Sequence, residues 1–162
     1  MSDEAKGAGV VEARLAELGH QLPGVAAPVA AYVPAVRTGS YVYTSGQLPM
    51  VEGALAETGK VGEGTGFVSP ERAYELARIC ALNALAAVKS QVGDLDRVRV
   101  VKVVGFVASD PAFTGQPKVV NGASELLGQA LGDNGVHARS AVGVAVLPLD
   151  APVEVELVVE VL

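Results

Sequence analysis

The chain has 162 residues, 50% of them apolar but only 4% aromatic and none tryptophan, so a single domain can bury a core of Val, Leu and Ala. Its formal charge is −6 and its twelve Lys and Arg are scattered, which argues against a partner gripped through a nucleic-acid backbone. Cys80 is the one cysteine, so no internal disulfide can form and a reducing compartment fits. Met1 to Gly9 lack the apolar stretch of a secretory signal, and no run of about 18 apolar residues occurs, so the expectation is a soluble, cytoplasmic protein without a membrane partner.

In chain order, Val10, Val11, Leu15 and Leu18 fall at helical spacing before Gly19, Pro23 and Gly24 break the pattern. Residues 25–36 mix Ala, Val and Pro; Pro28 and Pro34 restrict this run to an extended segment or edge strand. Arg37-Thr38-Gly39-Ser40 reads as a hairpin turn into a strand, Tyr41 to Ser45, which Gly46 ends. Gln47 to Gly66 reads as loop, with five glycines from Gly53 onward. Ser69-Pro70-Glu71 is a helix start, with a capping hydroxyl, a proline that needs no N–H, and an acid at the positive end of the dipole. Ala73, Leu76, Ala77, Cys80, Ala84, Leu85 and Val88 carry one apolar face towards Gly93. A strand follows from Arg97 to Val107, its alternation slipping near Val100-Val101 as a β-bulge would make it. Pro117 to Leu131 is a second amphipathic helix. Arg139 to Leu147 and Val153 to Leu162 are strands, the last alternating valines with Glu154 and Glu156. The natural solution is α+β: a mixed sheet with two helices on one face.

Most candidate motifs fall to plain readings. Gly53 to Lys60 lacks the spacing and the Ser or Thr of a phosphate loop, and no strand leads into Gly62 to Gly66, so the stretch is a turn-rich loop. His20, Cys80 and His137 lie on different elements without ligand spacing, so no metal site is expected. Cys80 belongs to a core stripe. Ser45 lacks the glycine two residues earlier that a nucleophile elbow needs; it is either a strand-end serine satisfying backbone groups or a substrate hydrogen-bonder. Arg139, in His137-Ala138-Arg139-Ser140, opens an otherwise apolar strand and needs an anionic partner. Two readings stand open: an ion pair with Glu154 or Glu156, or a planar fork awaiting a ligand carboxylate.

Together, Tyr41-Val42-Tyr43-Thr44-Ser45-Gly46-Gln47-Leu48-Pro49, Val103 to Val107 with Phe106, Ala138-Arg139-Ser140, and Leu147-Pro148 ahead of Val153-Glu154-Val155-Glu156 resemble the RidA/YjgF family, also called L-PSP endoribonucleases. The resemblance runs from about Pro28 to the C-terminus, leaving 1–24 as a tail with a short helix and 25–162 as the family-like domain. It implies a chorismate-mutase-like (bacillus-type) α+β fold, a homotrimer around a central barrel, and a pocket in each cleft between subunits. It implies hydrolysis of enamines and imines such as 2-aminoacrylate and 2-iminobutanoate to 2-oxo acids and ammonia, without a cofactor. By motif, Arg139 corresponds to the arginine that clamps the substrate carboxylate and Glu154 to the acid that positions the water. Ser45, the Gly46 amide, Tyr32 and Asn121 correspond to groups lining the pocket. Three departures stand out: Ala141 replaces the cysteine usual two residues after the arginine, the segment from Phe113 to Asn121 is longer than usual, and the N-terminal helix is additional.

That chemistry is self-consistent, because a protonated imine needs only an oriented water and a proton acceptor. The competing readings are a non-catalytic binder of small carboxylates in the same pocket, which Ala141 favours, and a ribonuclease, which the acidic charge and the absence of a histidine pair disfavour.

Overall fold

The computed structural model describes residues 9–25 and 31–162. In chain order its elements are helix α1 (Val10–Glu17), strands β1 (Ala35–Thr38) and β2 (Tyr41–Thr44), a small hairpin of β3 (Met50–Val51) and β4 (Ala54–Leu55), helix α2 (Pro70–Val92), strand β5 (Val98–Ala108), helix α3 (Gln116–Leu131), and strands β6 (Ala138–Val144) and β7 (Val153–Val161).

The local reasons for these elements are visible in their ends. Ser69 Oγ accepts from the Arg72 N–H at 3.1 Å, and Gly93 stops α2 at φ +76° while its N–H bonds the Lys89 carbonyl. Gly39 adopts φ +56° in a two-residue hairpin turn, with Thr38 paired to Tyr41. The turn is therefore Gly39-Ser40 alone, and Arg37 and Thr38 belong to the strand rather than to the turn. Of the extended run expected over 25–36, residues 26–30 lie outside the described residues and pairing begins only at Ala35. The glycine-rich stretch holds one short ladder, β3–β4, bent through Glu52 and Gly53, both at positive φ. β6 ends at Val144, short of the expected Leu147, because it stops where its partner β5 stops, at the Ala108–Val144 pair.

The five-stranded sheet runs β1-β2-β7-β5-β6; β5 and β6 are parallel and the other neighbours antiparallel. The register of β5 on β7 shifts between Val100 and Lys102, which is the bulge the broken alternation indicates. Helices α2 and α3 cover one face, burying Val103, Val107, Val155, Leu157 and Val159 together with Leu76, Cys80, Leu85, Leu126 and Leu127. The helices meet closely at Gly122, where a β-carbon would stand 1.9 Å from the Tyr74 carbonyl oxygen. α1 joins the same core through Val11 and Leu15, and its first N–H groups, on Val10 and Val11, are capped from a distance by the Asp96 carboxylate at 2.8 and 2.9 Å. Among the described residues no helix is long and apolar enough to cross a membrane.

None of the described helices covers the other face of the sheet. Glu154, Glu156 and Glu160 of β7 lie there half-exposed, beside the exposed side chains of Val36, Tyr41 and Tyr43. Pleating sorts β7, with Val153, Val155, Leu157 and Val159 inward and Glu154, Glu156, Val158 and Glu160 outward.

Candidate functional site

Arg139 sits on β6, an edge strand, directly beside Val103 of β5. Val103 is fully buried beneath the helices, and neighbours in a parallel pair point the same way, so Arg139 projects to the helix side and reaches α3. Its Nη1 donates to Asn121 Oδ1 at 2.7 Å and to Ser124 Oγ at 3.2 Å, and its Nη2 donates to the Pro117 carbonyl at 3.2 Å. These partners are neutral. The ion pairs of the described residues join Lys60 to Asp150, Arg72 to Glu57 and Glu75, Lys89 to Glu12, and Arg99 to Glu160, and none includes Arg139. The guanidinium is thus tethered but not neutralised. Of its five N–H groups, the Nε–H and one Nη2–H have no acceptor among the described residues.

Glu154 and Glu156 cannot supply the missing charge within the protomer. Glu154 pairs with Phe106 and Glu156 with Val104, alternating with the buried Val103, Gly105 and Val107, so both carboxylates are on the open face, opposite Arg139. The ion-pair reading of Arg139 is ruled out by this register among the described residues. The same register also separates the two groups expected to act together: a single chain does not bring Arg139 and Glu154 into one pocket.

Glu154 belongs instead to a cluster with Ser45 and Gly46 at the end of β2. Gln47 and Val155 exchange backbone hydrogen bonds at 2.8 and 3.0 Å, which clamps the β2 exit against β7. The Glu154 carboxylate then lies on Gly46 so closely that a β-carbon there would stand 1.7 Å from Oε1. Burial, and secondarily the neighbouring Glu156 carboxylate, raises the pKa of Glu154 above the ordinary glutamate value. Ser45 is occupied structurally: its hydroxyl donates to the Val33 carbonyl at 2.6 Å and its N–H to the Pro34 carbonyl at 2.8 Å. The strand-end reading of Ser45 accounts for both bonds. Tyr32 is exposed on the segment leading into β1. Ala141 shares the side of Arg139 through its pairing with Gly105, and packs against the core.

Two residues that contact the arginine or its partner were not read as site residues from the sequence, where Ser124 was passed over and His137 was weighed only as a metal ligand. Ser124 accepts from Arg139, and His137 contacts Ser124 through Nε2 at 2.9 Å. The available signal was Asn121 and Ser124 three apart, a polar pair sharing one side of the amphipathic helix. The remaining chemistry-bearing groups are inert or remote. Cys80 is fully buried, with its thiol pKa pushed well up by burial and then by Glu154. Among the described residues no three His, Cys, Asp or Glu are placed to hold a metal. Two cavities, of about 240 and 560 Å³, flank α1, and neither is lined by Arg139 or Glu154.

The architecture, two helices on one face of a mixed five-stranded sheet, is that of the chorismate-mutase-like α+β proteins. The chain belongs to the YjgF family, whose description, "YjgF/chorismate_mutase-like, putative endoribonuclease", matches residues 12–161. It is 46% identical over 154 residues to Protein TCP17 of Trypanosoma cruzi, covering 94% of each chain. Among solved structures it resembles Atu1372 of Agrobacterium tumefaciens, a protein of unknown function, at 47% identity and TM-score 0.85, over 94% of this chain and 93% of that one. It also resembles a "putative endoribonuclease" of Shewanella oneidensis MR-1 at 32% identity and TM-score 0.89, over 94% of this chain and all of that one.

Proposed function

We propose that this protein hydrolyses small enamine and imine intermediates, of the 2-aminoacrylate and 2-iminobutanoate type, to 2-oxo acids and ammonia in a pocket completed by a second copy of the chain. The observation that carries this reading is Arg139: a cation without a counter-ion among the described residues, held by Asn121, Ser124 and the Pro117 carbonyl, with two N–H groups to spare there. A carboxylate satisfies both the charge and the geometry. Glu154 fits the second role, since a carboxyl whose pKa is raised is a better base towards water at neutral pH.

The reaction balances without a cofactor. Water adds to the protonated imine carbon, its proton passes to Glu154, and the resulting carbinolamine expels ammonia as the C–N bond breaks and the C=O bond forms. Because Arg139 and Glu154 occupy opposite faces of one sheet, they meet only if Glu154 comes from a neighbouring subunit. The sheet face opposite the helices, with Val36, Tyr41 and Tyr43 exposed, supplies apolar surface for a homotrimer. The test couples the protein to a threonine dehydratase and traps 2-iminobutanoate with semicarbazide. The expected result is less trapped imine with the wild-type chain and no effect with Arg139→Ala; unchanged ammonia release by the variant removes Arg139 from the mechanism.

A second reading, a non-catalytic binder of small carboxylates, is favoured by Ala141, which presents only a methyl group on the arginine's side of β6. Saturable 2-oxobutanoate binding without any acceleration of imine decay selects it.

A further inference from the structure

We propose that Ser124 and His137 are positioning residues that aim Arg139 at its ligand, so that the carboxylate is taken side-on, by the Nε–H and Nη2–H edge of the guanidinium. This rests on the reading of Arg139 as a carboxylate grip.

With the His137 ring neutral, the hydrogen bonds have one consistent direction. His137 Nδ1 lies 2.6 Å from the Gly135 carbonyl, which can only accept, so the proton is on Nδ1. In the neutral ring Nε2 is then an acceptor, and the Ser124 hydroxyl 2.9 Å away donates to it. That turns the Ser124 lone pairs towards Arg139, whose Nη1 donates to them at 3.2 Å. The chain of donors runs Arg139 to Ser124 to His137 to Gly135. Its anchor is closely seated: Gly135 is buried, and a β-carbon there would stand 2.3 Å from the Leu127 carbonyl oxygen, so the residue whose carbonyl holds His137 lies against α3. The bracket is thus closed at both ends on one helix, by Asn121 and Ser124 at one end and by the Leu127 turn at the other.

The consequence for recognition follows by counting. Asn121 and Ser124 take both Nη1 hydrogens and Pro117 takes one on Nη2. With Nη1 engaged, the edge left to offer two parallel N–H groups is Nε with Nη2, which requires that Pro117 take the Nη2 hydrogen on the Nη1 side. Asn121 and Ser124 stand behind the guanidinium, away from that edge. They hold the arginine, and do not themselves touch the carboxylate.

The test uses the full chain and 2-oxobutanoate, with calorimetric binding and nitrogen-detected NMR of the arginine side chains. In the wild type the Arg139 Nη1 and Nη2 signals are expected to be resolved, because the bracket stops rotation about the Cζ–N bonds. Ser124→Ala is expected to average them and to weaken 2-oxobutanoate about tenfold, the factor for losing one charge-assisted hydrogen bond of modest strength. Ser124→Thr, which keeps the hydroxyl, is expected to restore both. His137→Phe keeps the ring shape and is expected to broaden the same signals. Ser124→Ala with resolved Nη signals and wild-type affinity overturns the bracket while leaving the carboxylate reading intact. A wild-type chain that does not bind 2-oxobutanoate overturns that reading and this inference with it.

Discussion

Two glycine-to-alanine substitutions should behave oppositely although their clashes look alike. At Gly46 the new β-carbon would fall 1.7 Å from Glu154 Oε1, 2.7 Å from its Cδ and 3.1 Å from its Cγ. All three atoms belong to the outer part of one side chain, and Gly46 is not at positive φ, so Ala fits the backbone. Glu154 need only swing aside, at a cost of about 0.5–1.5 kcal/mol for a χ angle displaced ~30° from its rotamer. The smaller conformational freedom of Ala in the unfolded chain offsets roughly 0.4–1 kcal/mol of that. At Gly122 the obstacle is the Tyr74 backbone: carbonyl oxygen at 1.9 Å, carbon at 2.8 Å, Cα at 3.3 Å. An ordinary carbon–oxygen approach is about 3.3–3.6 Å, so α2 and α3 must part by about 1.5 Å where they bury the core. Overpacking of that kind costs about 3 kcal/mol. Thermal melts at fixed protein concentration and the semicarbazide assay separate the two. Gly46→Ala is expected to melt within a few degrees of wild type and to lose imine hydrolysis, its Glu154 carboxylate displaced. Gly122→Ala is expected to melt about 6–12 °C lower. A fully active Gly46→Ala would show that the carboxylate's resting place on Gly46 is irrelevant to the chemistry, and a Gly122→Ala protein of unchanged stability would refute the steric argument.

Further outcomes follow from the ionisable groups. Since burial raises the Glu154 pKa, the folded state holds its proton more tightly than the unfolded state. The charged carboxylate therefore weakens folding above the folded pKa, and the penalty fades as pH falls through that value into the usual glutamate range near ~4.3. Glu154→Gln should accordingly melt higher than wild type at pH 8, with the gap closing towards pH 4; a gap that widens on acidification would contradict this. Asp96→Ala removes the remote cap on the Val10 and Val11 N–H groups, which costs about 1 kcal/mol, and amide exchange should quicken in α1 before it does in α2.

What the sequence determined by itself was governed by neighbours a few residues apart. Ser69-Pro70-Glu71 and Gly93 bounded α2, the broken valine alternation located the bulge at Val100, and the alternation of β7 put Glu154 and Glu156 on the face opposite Val153, Val155 and Leu157. The Thr-Ser-Gly-Gln-Leu-Pro and Ala-Arg-Ser segments pointed to the family, and the need of Arg139 for an anionic partner was evident from its apolar company. The tertiary structure alone decided which groups meet. The register of β6 against β5 put Arg139 on the helix side and so away from Glu154; a shift of one residue would have reversed it. The docking of α3 on β6 delivered Asn121 and Ser124 to the guanidinium, and the close seat of Gly135 on α3 delivered His137. Periodicity is a property of each segment taken alone, but register and docking depend on how distant segments fit when their side chains close-pack, and a single sequence carries no local signal of that fit.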